Sequence, residues 1–294
     1  THFSKEIYRR IALQDTSAVD YMFSWHGNAD LIVAIIKLFE DLKNAENDII
    51  DKGVQAILLV EDSVRFYSTY LPELYKLILK QSSEFLKETL NEQQRKFRKR
   101  SRPKILLATN LDDALQMYTR YRNNLLGVIS DVGFTVHKGD SADMEKLDAG
   151  IDLVKHIKAD NEKMPILLQS SQDSISAVAK ELGVGFLRKY SKTLMLQLSD
   201  YIKEEFGFGD FVFRDANHVE YGRAANLKEL EAIIREVPDE VLLYVTSKNM
   251  LSKWFMARGL FTLGERFRTV LETQFGTVSD LRAYVSQQIH DFHT

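Results

Sequence analysis

Five side chains in this sequence are suited to phosphoryl chemistry if the fold gathers them. They are the adjacent acids Glu61 and Asp62 in AILLVEDSVRF, Asp131 in LLGVISDVGF, Ser170 in PILLQSS and Lys189 in VGFLRKY. Two neighbouring carboxylates at the end of an apolar run repel each other and lose hydration when partly buried. The pair therefore costs stability unless a cation or basic group answers it. Three carboxylates suit a hard divalent cation such as Mg2+, which takes oxygen ligands and keeps water or phosphate oxygens in its remaining positions. A carboxylate is also a competent nucleophile toward phosphorus, giving an aspartyl phosphate. The lysine would pair with one phosphoryl oxygen and the serine hydroxyl would donate to another. Lys189 by itself reads as a surface lysine, and its value comes from standing opposite three acids.

The elements that must position these residues alternate regularly from about residue 55. AILLV (56–60), KILLA (104–108), LLGVIS (125–130), PILLQS (165–170) and VGFLRK (184–189) are short apolar runs of buried-strand type. Helical patterns follow each of them: LPELYKLILKQSSEFLKETLNEQQRKF, LDDALQMYTRYR, GIDLVKHIKAD, DSISAVAKEL and SKTLMLQLSDYIKEEF. Five strands alternating with five helices predict a doubly wound α/β domain with a five-stranded parallel sheet covered on both faces. Such sheets bind ligands beyond the carboxyl ends of their strands. Glu61, Asp62, Asp131, Ser170 and Lys189 all stand at those ends, so they are expected on one edge.

The composition agrees with a globular protein. A chain of 294 residues, 45% of them hydrophobic, can bury a substantial core, and its length favours two domains over one. The net charge of -3 and pI of about 6.2 give no general reason to expect nucleic acid or an anionic membrane as partner. The absence of cysteine excludes disulfides, thiol nucleophiles and thiolate metal sites, and fits a reducing compartment. No apolar run approaches the roughly 20 residues of a membrane helix. The N-terminus THFSKEIYRR lacks the apolar core of a signal peptide, so a cytoplasmic location is expected. The seven histidines show no ligand spacing beyond His290 and His293, which lie at a chain end where ligands are poorly held. Trp25 and Trp254 read as core or interface anchors.

The strand ends VEDS, ISDVGF, LLQSS and FLRK, in this order and spacing, resemble the receiver domain of two-component response regulators over about residues 53–209. The resemblance implies a flavodoxin-like fold in which Asp131 is the phosphoacceptor and Glu61 with Asp62 holds Mg2+ beside it. It further implies that Gly133 lends its backbone carbonyl to the metal, that Ser170 is the switch hydroxyl, that Lys189 pairs with the phosphate and that Phe186 is the aromatic switch residue. The implied partners are a histidine kinase or phosphotransfer protein, and the sequence leaves open whether a homodimer forms through the last helix and strand. The family is a signalling module rather than an enzyme in its own right.

Three features depart from the family pattern. Tyr190 replaces the proline that usually follows the lysine, and Thr135 replaces the proline of the motif after the acceptor, within a lengthened loop TVHKGDSADMEKL. The first helix and its connection run from about 63 to 102 and end in RKFRKRSRPK, which holds Arg95, Lys96, Arg98, Lys99, Arg100, Arg102 and Lys104 with no acid. That run reads either as a solvated helix end whose cations favour the C-terminal dipole or as a phosphate-binding or docking patch.

The flanks read as separate pieces. Residues 1–52 parallel the stretch from Ser170 onward. Thr1 answers Ser170, Tyr21 answers Phe186 near an expected strand, Ser24 answers Lys189 and Trp25 answers Tyr190. This is the pattern of the back half of an earlier, degenerate receiver joined by a linker helix from Ala29 to about Asp51. The other reading is an ordinary helical extension. From about residue 210 to 294 the segment is mostly helical, with FVFR as a strand, helices over NLKELEAIIREV and SKNMLSKWFMARG, and a capping box of Thr277 with Asp280 before the last helix. LLYVTSKNMLSKWFMARG more loosely resembles a segment of large bacterial proteins in which receivers precede a phosphoenolpyruvate synthase or pyruvate phosphate dikinase type catalytic portion. This chain would then be the regulatory front end of an enzyme lying downstream. The function expected overall is a phosphoacceptor module controlling an attached output, and the rival is a receiver-fold scaffold indifferent to phosphorylation.

Overall fold

The computed structural model describes residues 19–25, 27–87, 101–270 and 272–293. The chain divides into two compact units. One comprises the chain up to Lys80 together with Pro103–Gln197, and the other Gln81–Arg102 together with Leu198–Thr294. Most of the basic run, from Arg95 to Arg100, and the residues around Thr1 lie outside the described residues.

The first unit opens with α1 (Asp30–Ala45), which continues into a π-helical turn over Glu46–Asp51. Then come β1 (Ala56–Val60), α2 (Val64–Lys87), β2 (Lys104–Ala108), α3 (Leu111–Tyr121), β3 (Leu125–Asp131) and α4 (Ala149–Asp160). The series closes with β4 (Ile166–Ser170), α5 (Ile175–Glu181) and β5 (Gly185–Arg188), followed by α6 (Leu194–Glu205), of which only the start, to Gln197, belongs to this unit, as α2 belongs to it only to Lys80. The strands form one parallel sheet in the order β2-β1-β3-β4-β5. This is the flavodoxin-like doubly wound order, with its ligand crevice at the switch point between β1 and β3.

Why these runs are strands follows from their burial. β1, β2 and β4 are buried at every position, as strands covered on both faces must be. Leu58, Val60, Leu106, Val128, Ile166 and Leu168 face a core completed by Ala114 and Tyr118 of α3 and Leu153, Val154 and Ile157 of α4. On the opposite face Ile57, Leu59, Ile105, Leu107, Ile129 and Leu167 are equally inaccessible. Asn110 starts α3 by accepting a hydrogen bond from the Asp113 N–H at 2.8 Å, as an N-cap should.

β2 is an edge strand whose outward backbone groups would otherwise stand open. Asp41 of α1 accepts from the Ile105 N–H at 3.0 Å and from the Tyr75 hydroxyl at 2.8 Å. The Tyr21 hydroxyl donates to the Leu107 carbonyl at 2.9 Å. Lys104 answers the buried acid at 3.7 Å and pairs with Asp48 at 2.8 Å. Residues 19–25, where the sequence leads one to expect a strand, form none. They meet the unit through side chains, Ser24 N–H donating to the Ser68 hydroxyl at 2.9 Å and the Tyr67 hydroxyl to the Met22 carbonyl. Two of the edge groups a ladder would need, the Ile105 N–H and the Leu107 carbonyl, already have partners.

The second unit contains the antiparallel pair β6 (Phe211–Arg214) and β7 (Glu220–Ala224). Helices α7 (Leu227–Glu236), α8 (Asp239–Ser247), α9 (Met250–Ala257), α10 (Phe261–Arg268) and α11 (Val278–His293) follow. Trp254, Phe255, Phe267, Leu281, Val285 and Ile289 share its core. Thr277 and Asp280 form the expected reciprocal box, each side chain accepting from the other's backbone N–H, at 3.1 and 3.0 Å. SKNMLSKWFMARG is not one helix from its first residue. Asn249, in the left-handed region at φ 56°, separates α8 from α9. The buried Arg258 guanidinium stacks 3.6 Å from the Trp254 ring centre and donates to the Gly207 and Gly209 carbonyls. Among the described residues no helix is long and apolar enough to cross a membrane.

Candidate functional site

The carboxyl ends of β1 and β3 bring the acids together. The Glu61 N–H donates to the Ala108 carbonyl at 3.0 Å, prolonging the β1–β2 ladder by one residue and fixing a side chain that is wholly buried. The Ser63 N–H returns to Glu61 Oε1 at 3.2 Å as the chain turns into α2. At the end of β3, the Val132 N–H donates to Asp131 Oδ1 at 2.7 Å. Carboxylate oxygens of Glu61, Asp62 and Asp131 lie within 4.8 Å of one another.

Lys189 closes the group from two strands away. Its N–H donates to the Ser170 carbonyl at 2.8 Å, extending the β4–β5 ladder. Its side chain then passes β4 to reach Glu61 Oε2 at 2.8 Å and Asp131 Oδ2. The ammonium is buried and lies 4.1 Å from the centre of the Phe66 ring in the first turn of α2. Phe66 stacks on Tyr70 at 5.8 Å and meets Tyr190 edge-on at 5.2 Å. Tyr190 holds φ 66°, a conformation that a bulky residue rarely adopts.

One ammonium faces three carboxylates, and the electrostatics carry the mismatch. Burial pushes the Glu61 carboxyl up, with the Asp131 charge adding to it and Lys189 opposing. Burial, then Asp131 and Glu145, push Asp62 up to about 7, while a hydrogen bond from the Thr135 backbone works the other way. Burial alone would lower the Lys189 ammonium, but Glu61 and Asp131 outweigh it and raise it. The donors are hard oxygens with an excess of negative charge, which fits a divalent cation of the Mg2+ type. Glu61, Asp62 and Asp131 would hold it.

The other residues read from the sequence fall around this group. Ser170 ends β4, its hydroxyl accepting from the Gln172 N–H at 3.1 Å. Phe186 on β5 is half-buried against the core on the α3–α4 face. Gly133 lies in the loop after β3, where a Cβ would collide with Glu145 Oε1. Sequence reasoning missed Glu145, Phe66, Tyr70 and the role of Thr135. Phe66 and Tyr70 carried a signal, being aromatic residues four apart just after the acid pair. Thr135 can donate its N–H to Asp62 because it is not the proline usual in the resembled motif. Glu145 is placed by a bridge pairing Phe134 with Lys146 across the long loop, which no local pattern announces.

No protein-family model matches the sequence, and no curated protein matches it significantly. Solved structures similar to it include a response regulator receiver domain protein from Clostridium thermocellum, 20% identical with a TM-score of 0.34 over 51% of this chain and 91% of that one. The non-phosphorylated HemR receiver domain from Leptospira biflexa is 22% identical, with a TM-score of 0.32 over 50% of this chain and 94% of its own. The NtrX receiver domain from Brucella abortus is 20% identical, with a TM-score of 0.29 over 50% and 98% respectively.

Proposed function

We propose that the first unit is a phosphoacceptor module of the receiver type, in which Asp131 is phosphorylated in the presence of Mg2+ and the change is passed to an attached output. The observation that carries this reading is Lys189 reaching from β5 to the carboxylates of Asp131 and Glu61 at the switch point of the sheet. In the transfer a carboxylate oxygen of Asp131 attacks the phosphorus of a phosphohistidine on a histidine kinase or phosphotransfer protein. The P–O bond forms as the P–N bond breaks, and the imidazole nitrogen keeps the electron pair and takes up a proton. A bound Mg2+, held by Glu61, Asp62, Asp131 and the Gly133 carbonyl, would supply positive charge to the phosphoryl oxygens. Lys189 would exchange part of its pairing with Asp131 for a phosphoryl oxygen, and the Ser170 hydroxyl would turn from Gln172 toward another. Phe186, only half-buried, has room to follow. The unit would act as a signalling module, with no turnover beyond forming and losing its own acyl phosphate.

Beryllofluoride with Mg2+ mimics the phosphoryl group and tests the reading directly. The wild-type chain should bind it only when Mg2+ is present, and Asp131→Asn should abolish binding. Retained binding in that variant would overturn the assignment. The strained Tyr190, packed on Phe66 next to the lysine, favours a second reading in which the receiver fold serves as a scaffold. That reading requires shape and oligomeric state to be the same with and without beryllofluoride.

A further inference from the structure

The loop from Val132 to Asp148 does more than lengthen the connection to α4. Phe134 and Lys146 exchange backbone hydrogen bonds at 3.3 and 3.0 Å, so the loop folds back on its own start. This fold returns Glu145 to the two-residue stretch that follows Asp131. Its Oε1 occupies the space a side chain at Gly133 would take, and its Cδ lies 3.4 Å from that Cβ position. The Glu145 side chain is solvent-facing. Among the described residues no basic side chain forms an ion pair with it, whereas Lys146 beside it pairs with Asp152.

A second observation shows that the pocket is short of a polar partner rather than merely acidic. The Tyr70 hydroxyl is buried with no hydrogen-bond partner, and its ring stacks on Phe66, which also meets the Lys189 ammonium among the acids. A buried hydroxyl left without a partner marks a place for a ligand oxygen or water.

We infer that Glu145 is a fourth carboxylate of the divalent-cation site, brought over the bare face of Gly133 by the fold-back of the loop after Asp131. This rests on the cation site proposed above and adds to it a residue that the loop insertion supplies. Glu145 acts on the side of the site open to solvent, through a water of the cation, since among the described residues only Glu61, Asp62 and Asp131 bring carboxylate oxygens within 4.8 Å of one another. The affinity of such a site rises with the number of its carboxylates. Glycine at 133 is then needed for space as well as for its carbonyl, since a methyl there pushes the Glu145 carboxylate away.

The test uses the full chain and MnCl2 alone, without phosphodonor, with free Mn2+ read by electron paramagnetic resonance and Mg2+ measured by competition. Glu145→Gln should weaken Mn2+ binding about five- to tenfold. Gly133→Ala, which keeps every carboxylate, should show a comparable loss. Asp143→Asn, in the same exposed loop, should bind as the wild type does. Wild-type affinity in Glu145→Gln, or an equal loss in Asp143→Asn, would overturn the assignment of Glu145 while leaving the cation site standing. Failure of the wild-type chain to bind Mn2+ would remove the cation site itself, and this inference with it.

Discussion

The Lys189 ammonium lies 4.1 Å from the centre of the Phe66 ring while its charge is divided between Glu61 and Asp131. A buried cation held by two carboxylates and an aromatic face is confined on several sides, and it is the positive charge that offsets the buried acids. Removing one partner of a buried ion pair leaves the other without compensation, which costs about 3–5 kcal/mol. Lys189→Met should therefore destabilise the first unit by roughly 3 kcal/mol in EDTA, with part of the loss recovered in millimolar Mg2+. Urea unfolding with and without the cation reads both numbers, and an equal loss in the two conditions would argue against a cation taking the place of the lysine charge.

The acids make a prediction about pH. Asp62 is raised to about 7 and Glu61 is raised as well, first by burial and then by the Asp131 charge. The folded state therefore holds these protons at pH values where the unfolded chain has released them. Their contribution to stability is greatest below the ordinary carboxylate range and declines as pH rises from there through about 7. The raised Lys189 ammonium stays charged throughout this window. Asp62→Asn removes one of the two contributions, so its stability relative to the wild type should rise between pH 5 and pH 7.5 in EDTA. Mg2+ favours the ionised acids, and its binding should tighten over the same range. A wild-type–variant difference independent of pH would contradict the raised Asp62.

How much of this could be read from the sequence differs element by element, for physical reasons. AILLV, KILLA and LLGVIS announce strands because a sheet covered on both faces leaves no polar position, and the structure places β1 and β2 at the boundaries so read. β7 was not legible because EYGRA is mostly exposed and carries no such run. The break at Asn249 was hidden inside an unbroken helical pattern, since one left-handed residue leaves no trace in periodicity. At the site, Glu61, Asp62, Asp131 and Lys189 were legible because strand ends in a parallel sheet share an edge. Glu145 was not, because its place depends on how a loop closes on itself.

Gly150 sets how closely α4 approaches that edge. A Cβ there would collide with the Asp131 carbonyl and lie 2.9 Å from the Val132 Cα, and the Gly150 N–H donates to the Val132 carbonyl at 2.8 Å. Neither backbone atom can swing aside as a side chain would. Gly150→Ala should cost about 1–3 kcal/mol and displace Asp131. Beryllofluoride affinity should fall in this variant although every acid and the lysine are intact. Unchanged affinity and stability would show that the end of β3 can yield at no cost.

The capped edge of β2 offers a test in the same unit, away from the acids. Asp41 is fully buried, accepts from Ile105 N–H and the Tyr75 hydroxyl, and has Lys104 at 3.7 Å. Asp41→Ala leaves the Ile105 N–H without its acceptor and takes one partner from the Tyr75 hydroxyl, while Lys104 keeps Asp48, and a loss of about 2 kcal/mol is expected. Tyr21→Phe leaves only the Leu107 carbonyl without its donor and should cost about 1 kcal/mol. Because an opened edge strand pairs with other chains, Asp41→Ala should also self-associate in a concentration-dependent way by analytical ultracentrifugation. Tyr21→Phe, with Asp41 still in place, should stay in the wild-type state. If both variants kept the wild-type sedimentation and stability, the N-terminal segment would have no part in protecting the sheet.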